Sequence, residues 1–286
     1  MSDLFGLRVR VVFHWGFWIR SPSTSRYQST LPIPPPTTLI GALAHHILRQ
    51  GCVSMGGRRI EGEVSFINGR LTSSAALLEE IIPATSFYYE AGDIEGFSYE
   101  DINRYITLFF QLKVPREPGM RRYSMEYRMG AIKVGKVYFP SGRGAACYLI
   151  DEHRAERLIG SDWKARVKTA AYNITRIGSK ESIVSVESVE EIEDVGEVKA
   201  PIKIKTRCYL PLRLLDQSSL KEGRYYVERF WRGGWASEEE PSYEDFVVPG
   251  SRSPISSEPI EVLVKEGRIY ELGPEEVLCL DPQKIL

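Results

Sequence analysis

The sequence predicts an α+β fold. Both ends of the chain are rich in alternating strand patterns, amphipathic helices are interposed between strands, and no regular strand–helix repeat suggests a doubly wound sheet. Residues 7–18 open the chain with Val9, Val11, Phe13, Trp15 and Phe17 on alternate positions, which predicts a strand with one strongly apolar face. Trp15 and Trp18 fall on opposite faces of that strand, so one of them is expected in the core. A polar loop then runs into Pro34-Pro35-Pro36, where Thr37 or Thr38 is placed to cap a helix. Leu39, Ile40, Leu43, Ala44, Ile47 and Leu48 recur at helical spacing, and Gly51 ends that element.

Residues 62–68 read as a short strand, 73–82 as a helix stopping before Pro83, and 85–90 as a strand. Tyr105, Leu108, Phe109 and Leu112 share one helical face, which predicts a helix over 99–112. From Tyr123 the chain alternates after Pro115, Pro118 and Gly119, so 113–143 reads as a long excursion built on a β-hairpin. A strand follows at 145–150, then helix over 151–175 broken near Gly160. Strands are expected at 200–213 and 259–272, the latter a hairpin turning near Glu266-Gly267.

The 286 residues carry 37 Lys and Arg against 38 Asp and Glu, so an indiscriminate coat for nucleic acid is excluded on net charge. No stretch is apolar enough to span a membrane, and residues 1–20 carry too many charges for a secretory leader, so a cytoplasmic address is expected. Cys52, Cys147, Cys208 and Cys279 have no short spacing and read as buried thiols. Only three Asn and five Gln occur, a depletion expected of a thermophile.

The charges are segregated. Residues 113–143 hold eight cations, among them Arg121, Arg122, Arg128, Lys133 and Lys136, against Glu117 and Glu126, with Tyr123, Tyr127 and Tyr138 interleaved. Cations that neutralise phosphates beside rings that stack on bases suit a single-stranded nucleic acid. A basic hairpin projecting into water is the other reading. Acids gather instead at 187–197 and 238–245, a face for solvent or a protein partner.

Catalytic signatures are scarce. The histidines are His14, His45, His46 and His153, and His45 and His46 lie about 100° apart on a helix, a poor geometry for one metal. Neither a nucleophile elbow nor a phosphate-binding Gly-rich loop of the Walker type occurs. A metal-independent ribonuclease needs only a base and an acid. His14 with Tyr27 and Lys180 is the available set, although a satisfied strand residue is the plainer reading of His14. Arg176, Gly178, Ser179 and Lys180 bring two cations, a hydroxyl and backbone N–H groups into one turn. Two readings fit it: a phosphate nest, and a left-handed cap of the preceding helix with cations at its C-terminus.

Three segments in this order resemble a known family: the strand Arg8–Trp18, the entry Pro34-Pro35-Pro36-Thr37-Thr38-Leu39-Ile40-Gly41-Ala42-Leu43, and Arg176-Ile177-Gly178-Ser179-Lys180-Glu181-Ser182. They are similar to the CRISPR-associated Cas-five family, the RAMP-type subunit of type I Cascade complexes, and the third segment looks most like the archaeal type I-A branch. The resemblance covers about residues 7–190. It implies a ferredoxin-like (RRM-like) RAMP domain over 1–198 with an inserted β-hairpin thumb at about 113–143, and a smaller β-rich part over 199–286. It implies a subunit that binds the 5′ handle of the CRISPR RNA (crRNA) and contacts the backbone and large subunits, meeting target DNA only indirectly. No cofactor or metal is implied. The family's catalytic residues in its RNA-cleaving members do not map onto this chain, so a binding subunit with no catalytic residues is expected. A metal-independent repeat RNA endonuclease, or a protein scaffold using the acidic stretches without RNA contact, would be the alternatives. The expected RNA-binding residues are Arg20, Arg26 and Tyr27 in the loop after the first strand, Arg121, Arg122, Tyr123, Arg128, Lys133 and Lys136 in the thumb, and Arg176, Gly178, Ser179 and Lys180 in the turn.

Overall fold

The computed structural model describes residues 4–21, 27–55, 58–60, 62, 64–67, 70–90, 95–106, 129–220, 223–231 and 242–280. Six elements carry the central unit: β1 (Leu4–Phe13), α1 (Pro36–Arg49), β2 (Ala84–Tyr89), β3 (Gly142–Asp151), α2 (Trp163–Tyr172) and β4 (Val184–Ile192). The sheet order is β4-β1-β3-β2, and every neighbouring pair is antiparallel. Phe5, Leu7, Val9, Val11 and Phe13 all point to one face of β1 and are fully buried beneath α1 and α2. Ring packing tightens that layer: Phe5 meets Trp163 edge-on with centroids 5.4 Å apart.

The opposite face of the sheet is also covered. Tyr88, Ala145, Cys147 and Leu149 pack against Cys208, Tyr270, Leu272, Leu278 and Leu280 from the C-terminal part. Arg8 on this face pairs with Glu190 at 2.5 Å and with Glu276, to which Tyr88 also donates a hydrogen bond at 2.5 Å. A largely buried cation is thus matched by carboxylates from two sides. The C-terminal part builds its own apolar cluster from Ile204, Leu210, Leu214, Val247, Val262, Val264 and Ile269. Four cysteines remote in sequence remain free thiols, and the fold sets Cys147 beside Cys208, whose hydrogen bond together with burial holds the Cys147 thiol well above the ordinary range.

The proline-rich entry to α1 has few N–H groups and several carbonyls to satisfy. Tyr89 donates to Pro32 O at 2.6 Å, Tyr209 to Pro34 O at 3.2 Å and Tyr148 to Leu39 O at 3.1 Å. Three buried tyrosines therefore fix the angle at which α1 leaves the loop. Neither Thr37 nor Thr38 caps the helix: Pro36 occupies the first helical position, with no side-chain cap at Pro35. Proline's fixed φ prepares that position without one.

Several other expectations are corrected. The opening strand ends at Phe13, and Phe17 belongs to a separate pair, Gly16–Phe17, against the strand Met129–Tyr138. Gly16 sits at φ +137°, where a Cβ would lie 1.9 Å from Val137 O, so the close strand approach requires glycine. Neither Trp15 nor Trp18 is core; both are half-buried. Within 99–112 the described residues form strand rather than helix: Phe97–Ile106 pairs antiparallel with Met129–Tyr138 over ten residues. Most of the apolar positions that suggested a helix lie beyond residue 106, outside the described residues, and the long-range pairing decides the rest. The 259–272 hairpin is replaced by two strands with separate partners: Ile260–Val264 pairs with Ile202–Thr206, and Arg268–Gly273 with Gly196–Lys199 and Glu276–Leu280.

Candidate nucleic-acid interface

The burial of Leu39, Ile40, Leu43, Ala44, Ile47 and Leu48 against the core leaves Thr38, Gly41, Ala42, His45 and Arg49 on the outer face of α1. This outer face forms one wall of a groove of about 960 Å³. Trp18, Ile19 and Arg20 line it from the segment after β1, and Thr175, Arg176, Gly178, Ser179, Lys180 and Ile183 supply the facing wall. Arg20, Arg176, Gly178, Ser179 and Lys180 were expected from sequence, and the fold brings all five to this one groove.

The turn is held by its own backbone. Ser179 N–H donates to Trp18 O at 3.1 Å, and the buried Ser182 Oγ accepts from Trp18 N at 3.0 Å. Gly178 stands at φ +114°, and a Cβ there would lie 2.8 Å from Ile19 Cγ1 and 3.0 Å from Trp18 O. Glycine therefore lets the turn close against the strand end. The helix-cap reading of Gly178 is corrected, since α2 ends at Tyr172 with Asn173 as its cap. The Ser179 hydroxyl lies 3.2 Å from Ser182 Oγ and 3.4 Å from Glu181 Oε2, and its N–H is occupied, so the nest reduces to the Gly178 and Lys180 region of the turn.

The groove lining contains Arg20, His45, His46, Arg49, Arg176 and Lys180 and, among the described residues, no carboxylate. Arg49, Arg176 and Lys180 are exposed, and no ion pair to them occurs among the described residues. Burial depresses the His46 pKa first, and His45, Arg49 and Arg176 push it further down, which favours the neutral imidazole. Arg49 and Arg176, whose charges add to the effect of burial, line the same groove and make its surface positive. Such a surface attracts a polyanion whose phosphates replace the missing counter-charges. At Gly41 a Cβ would meet nothing within 4 Å, so the helix wall is open to a ligand there.

Arg26, Arg121, Arg122, Tyr123 and Arg128 fall outside the described residues. Tyr27 and Lys133 are backbone register partners where the two-residue strand Tyr27–Gln28 runs parallel to Met129–Tyr138. Lys136 is ion-paired to Asp101 at 3.0 Å. His14 is exposed, with Nε2 2.8 Å from Ser185 Oγ, and is not part of the groove lining. The wall of α1 is the part sequence reasoning missed. Its signal was present as the complement of the core face, a polar and small-residue stripe at positions 38, 41, 42, 45 and 49. Among the described residues no group of three or more His, Cys, Asp or Glu is arranged to hold a metal ion, and no helix is long and apolar enough to cross a membrane.

No family model matches the chain. Two curated proteins of Saccharolobus solfataricus, a CRISPR-associated protein Cas5 and an aCascade subunit Cas5, are each 32% identical over 274 residues, covering 95% of this chain and 98% of theirs. A crystal structure of a CRISPR protein from Archaeoglobus fulgidus shares the fold at a TM-score of 0.58 and 21% identity, over 97% of this chain and 99% of that one. With an aligned identity of 32% along nearly its whole length, this chain belongs to the CRISPR-associated Cas5 family.

Proposed function

We propose that this chain is the crRNA-binding subunit of a type I-A Cascade effector complex in the cytoplasm. In this reading it caps the 5′ handle, contacts the backbone and large subunits, and meets target DNA only through them. The observation that carries the reading is the groove between α1 and the 176–182 turn, rich in cations and free of carboxylates among the described residues. The name of one relative, an aCascade subunit, supports the assembly.

The strand order β4-β1-β3-β2 with β1-α1-β2-β3-α2-β4 connectivity supports a ferredoxin-like domain. The pair Phe97–Ile106 and Met129–Tyr138, inserted between β2 and β3, is then the base of the thumb. An RRM reads RNA on its sheet face. Here the C-terminal part covers that face, which favours the groove beside α1 as the RNA site.

A catalytic role is the second reading. One observation favours it: His46 lies edge-on to His45, ring centroids 4.9 Å apart, in the cation-lined groove, and its lowered pKa favours the neutral form that a general base needs. Both readings meet one experiment. The full chain is incubated with end-labelled repeat RNA in EDTA, and cleavage and crosslinks are mapped together. Uncut RNA crosslinked to α1 and the 176–182 turn is the result expected of a binding subunit. A discrete cut abolished by His46→Ala makes the chain a nuclease, and absence of both signals in the assembled complex leaves a protein scaffold.

A further inference from the structure

The strand Met129–Tyr138 has neighbours on both edges. It pairs with Phe97–Ile106 along its length, and its end pairs with Gly16–Phe17 through Val137↔Phe17 and Tyr138↔Gly16. Cross-strand partners share a face. Phe97 therefore lies beside Tyr138, and Tyr99 beside Lys136. Just past that pairing, Phe139 N–H donates to Trp15 O at 2.8 Å, and the Trp15 indole N–H donates to Glu181 O at 2.6 Å, next to the groove-lining Lys180. Lys136 is also within electrostatic reach of Tyr99 and of Glu181, a residue of the turn that forms the groove's wall. Phe97, Tyr99 and Tyr138 are 47%, 39% and 50% exposed, an unusual concentration of aromatic surface at one place. Asp101 neutralises Lys136 at 3.0 Å, so this face offers rings rather than net charge.

We propose that Phe97, Tyr99 and Tyr138 form a base-stacking platform for single-stranded RNA whose phosphates are held in the adjoining groove. The proposal rests on the RNA-binding reading of that groove. Trp15 carries the continuity between the two surfaces. The groove supplies cations, and the platform supplies the flat apolar faces that a strand with unstacked bases also needs.

The test uses the full chain and a short single-stranded RNA carrying 5-iodouridine at successive positions. Wild type crosslinks at Phe97, Tyr99 or Tyr138. The double variant Tyr99→Leu/Tyr138→Leu keeps apolar bulk without the rings and binds about tenfold more weakly. The slope of its affinity against salt is unchanged, because no phosphate contact is lost. Tyr99→Phe/Tyr138→Phe keeps wild-type affinity, which separates the ring from the hydroxyl and from misfolding. Unchanged affinity in the Leu variant, or crosslinks confined to the groove, overturns the platform. If in addition Arg176→Gln weakens binding, the groove reading stands without it. A Leu variant that binds RNA normally and fails only to assemble with the other subunits gives the face to a protein and also overturns the proposal. Wild type that binds no RNA, alone or assembled, removes the groove reading and the platform with it.

Discussion

Replacing Arg176 and Lys180 together by glutamine tests the groove most directly. Both side chains are exposed on a turn held by Ser179, Ser182 and Gly178, so the change removes charge and leaves the backbone supports in place. No ion pair to either side chain occurs among the described residues, so no buried partner is orphaned. With Arg20 and Arg49 they make four exposed groove cations. If each meets one phosphate of a single strand, the slope of log K against log salt is about −2.8. Affinity then falls about fiftyfold between about 50 and 200 mM salt. The double variant retains two such contacts, a slope of about −1.4, and loses only about sevenfold over the same range. Fluorescence anisotropy of a labelled single-stranded RNA, titrated at several salt concentrations, reads both numbers. Thermal unfolding of the variant supplies the folding control. A slope that does not change, with the fold intact, refutes the assignment of these residues to phosphate.

Three further outcomes follow from packing. Gly178→Ala places a Cβ 2.8 Å from Ile19 Cγ1 at a φ of +114°, a strain of about 2 kcal/mol, and lowers Tm by about 5 °C in a melt followed by circular dichroism. Glu276→Gln removes one of the carboxylates matched to the largely buried Arg8 and lowers stability by about 3 kcal/mol, read as an earlier urea midpoint at unchanged m-value. Glu228 is buried, its Oε2 accepts no hydrogen bond among the described residues and stands 3.5 Å from Arg252, and burial raises its pKa against the pull of that cation. A folded-state pKa above the unfolded value of about 4.3 means that the stability this group contributes declines as pH rises past that value. Glu228→Gln therefore flattens the pH dependence and raises Tm at neutral pH. A steeper pH dependence in the variant contradicts the assignment.

The sequence by itself determined the local structure that packing alone specifies. The alternation Val9, Val11, Phe13 and the helical recurrence from Leu39 to Leu48 are one-dimensional records of a buried face, and both appear at those residues in the fold. It also named five residues of the groove, because cations around a flexible glycine are visible in one short segment and a further cation in the loop after the first strand. Tertiary structure decided what depends on distant partners. The strand Phe97–Ile106 exists through ten register pairs to residues about thirty positions away, which a local window reading helical spacing does not contain. The pairing of strands in the C-terminal part was invisible for the same reason, since alternation marks a strand without naming its neighbour. The wall of α1 became a site only when the 176–182 turn was brought opposite it, because a polar helix face has no chemical direction until another element closes the groove.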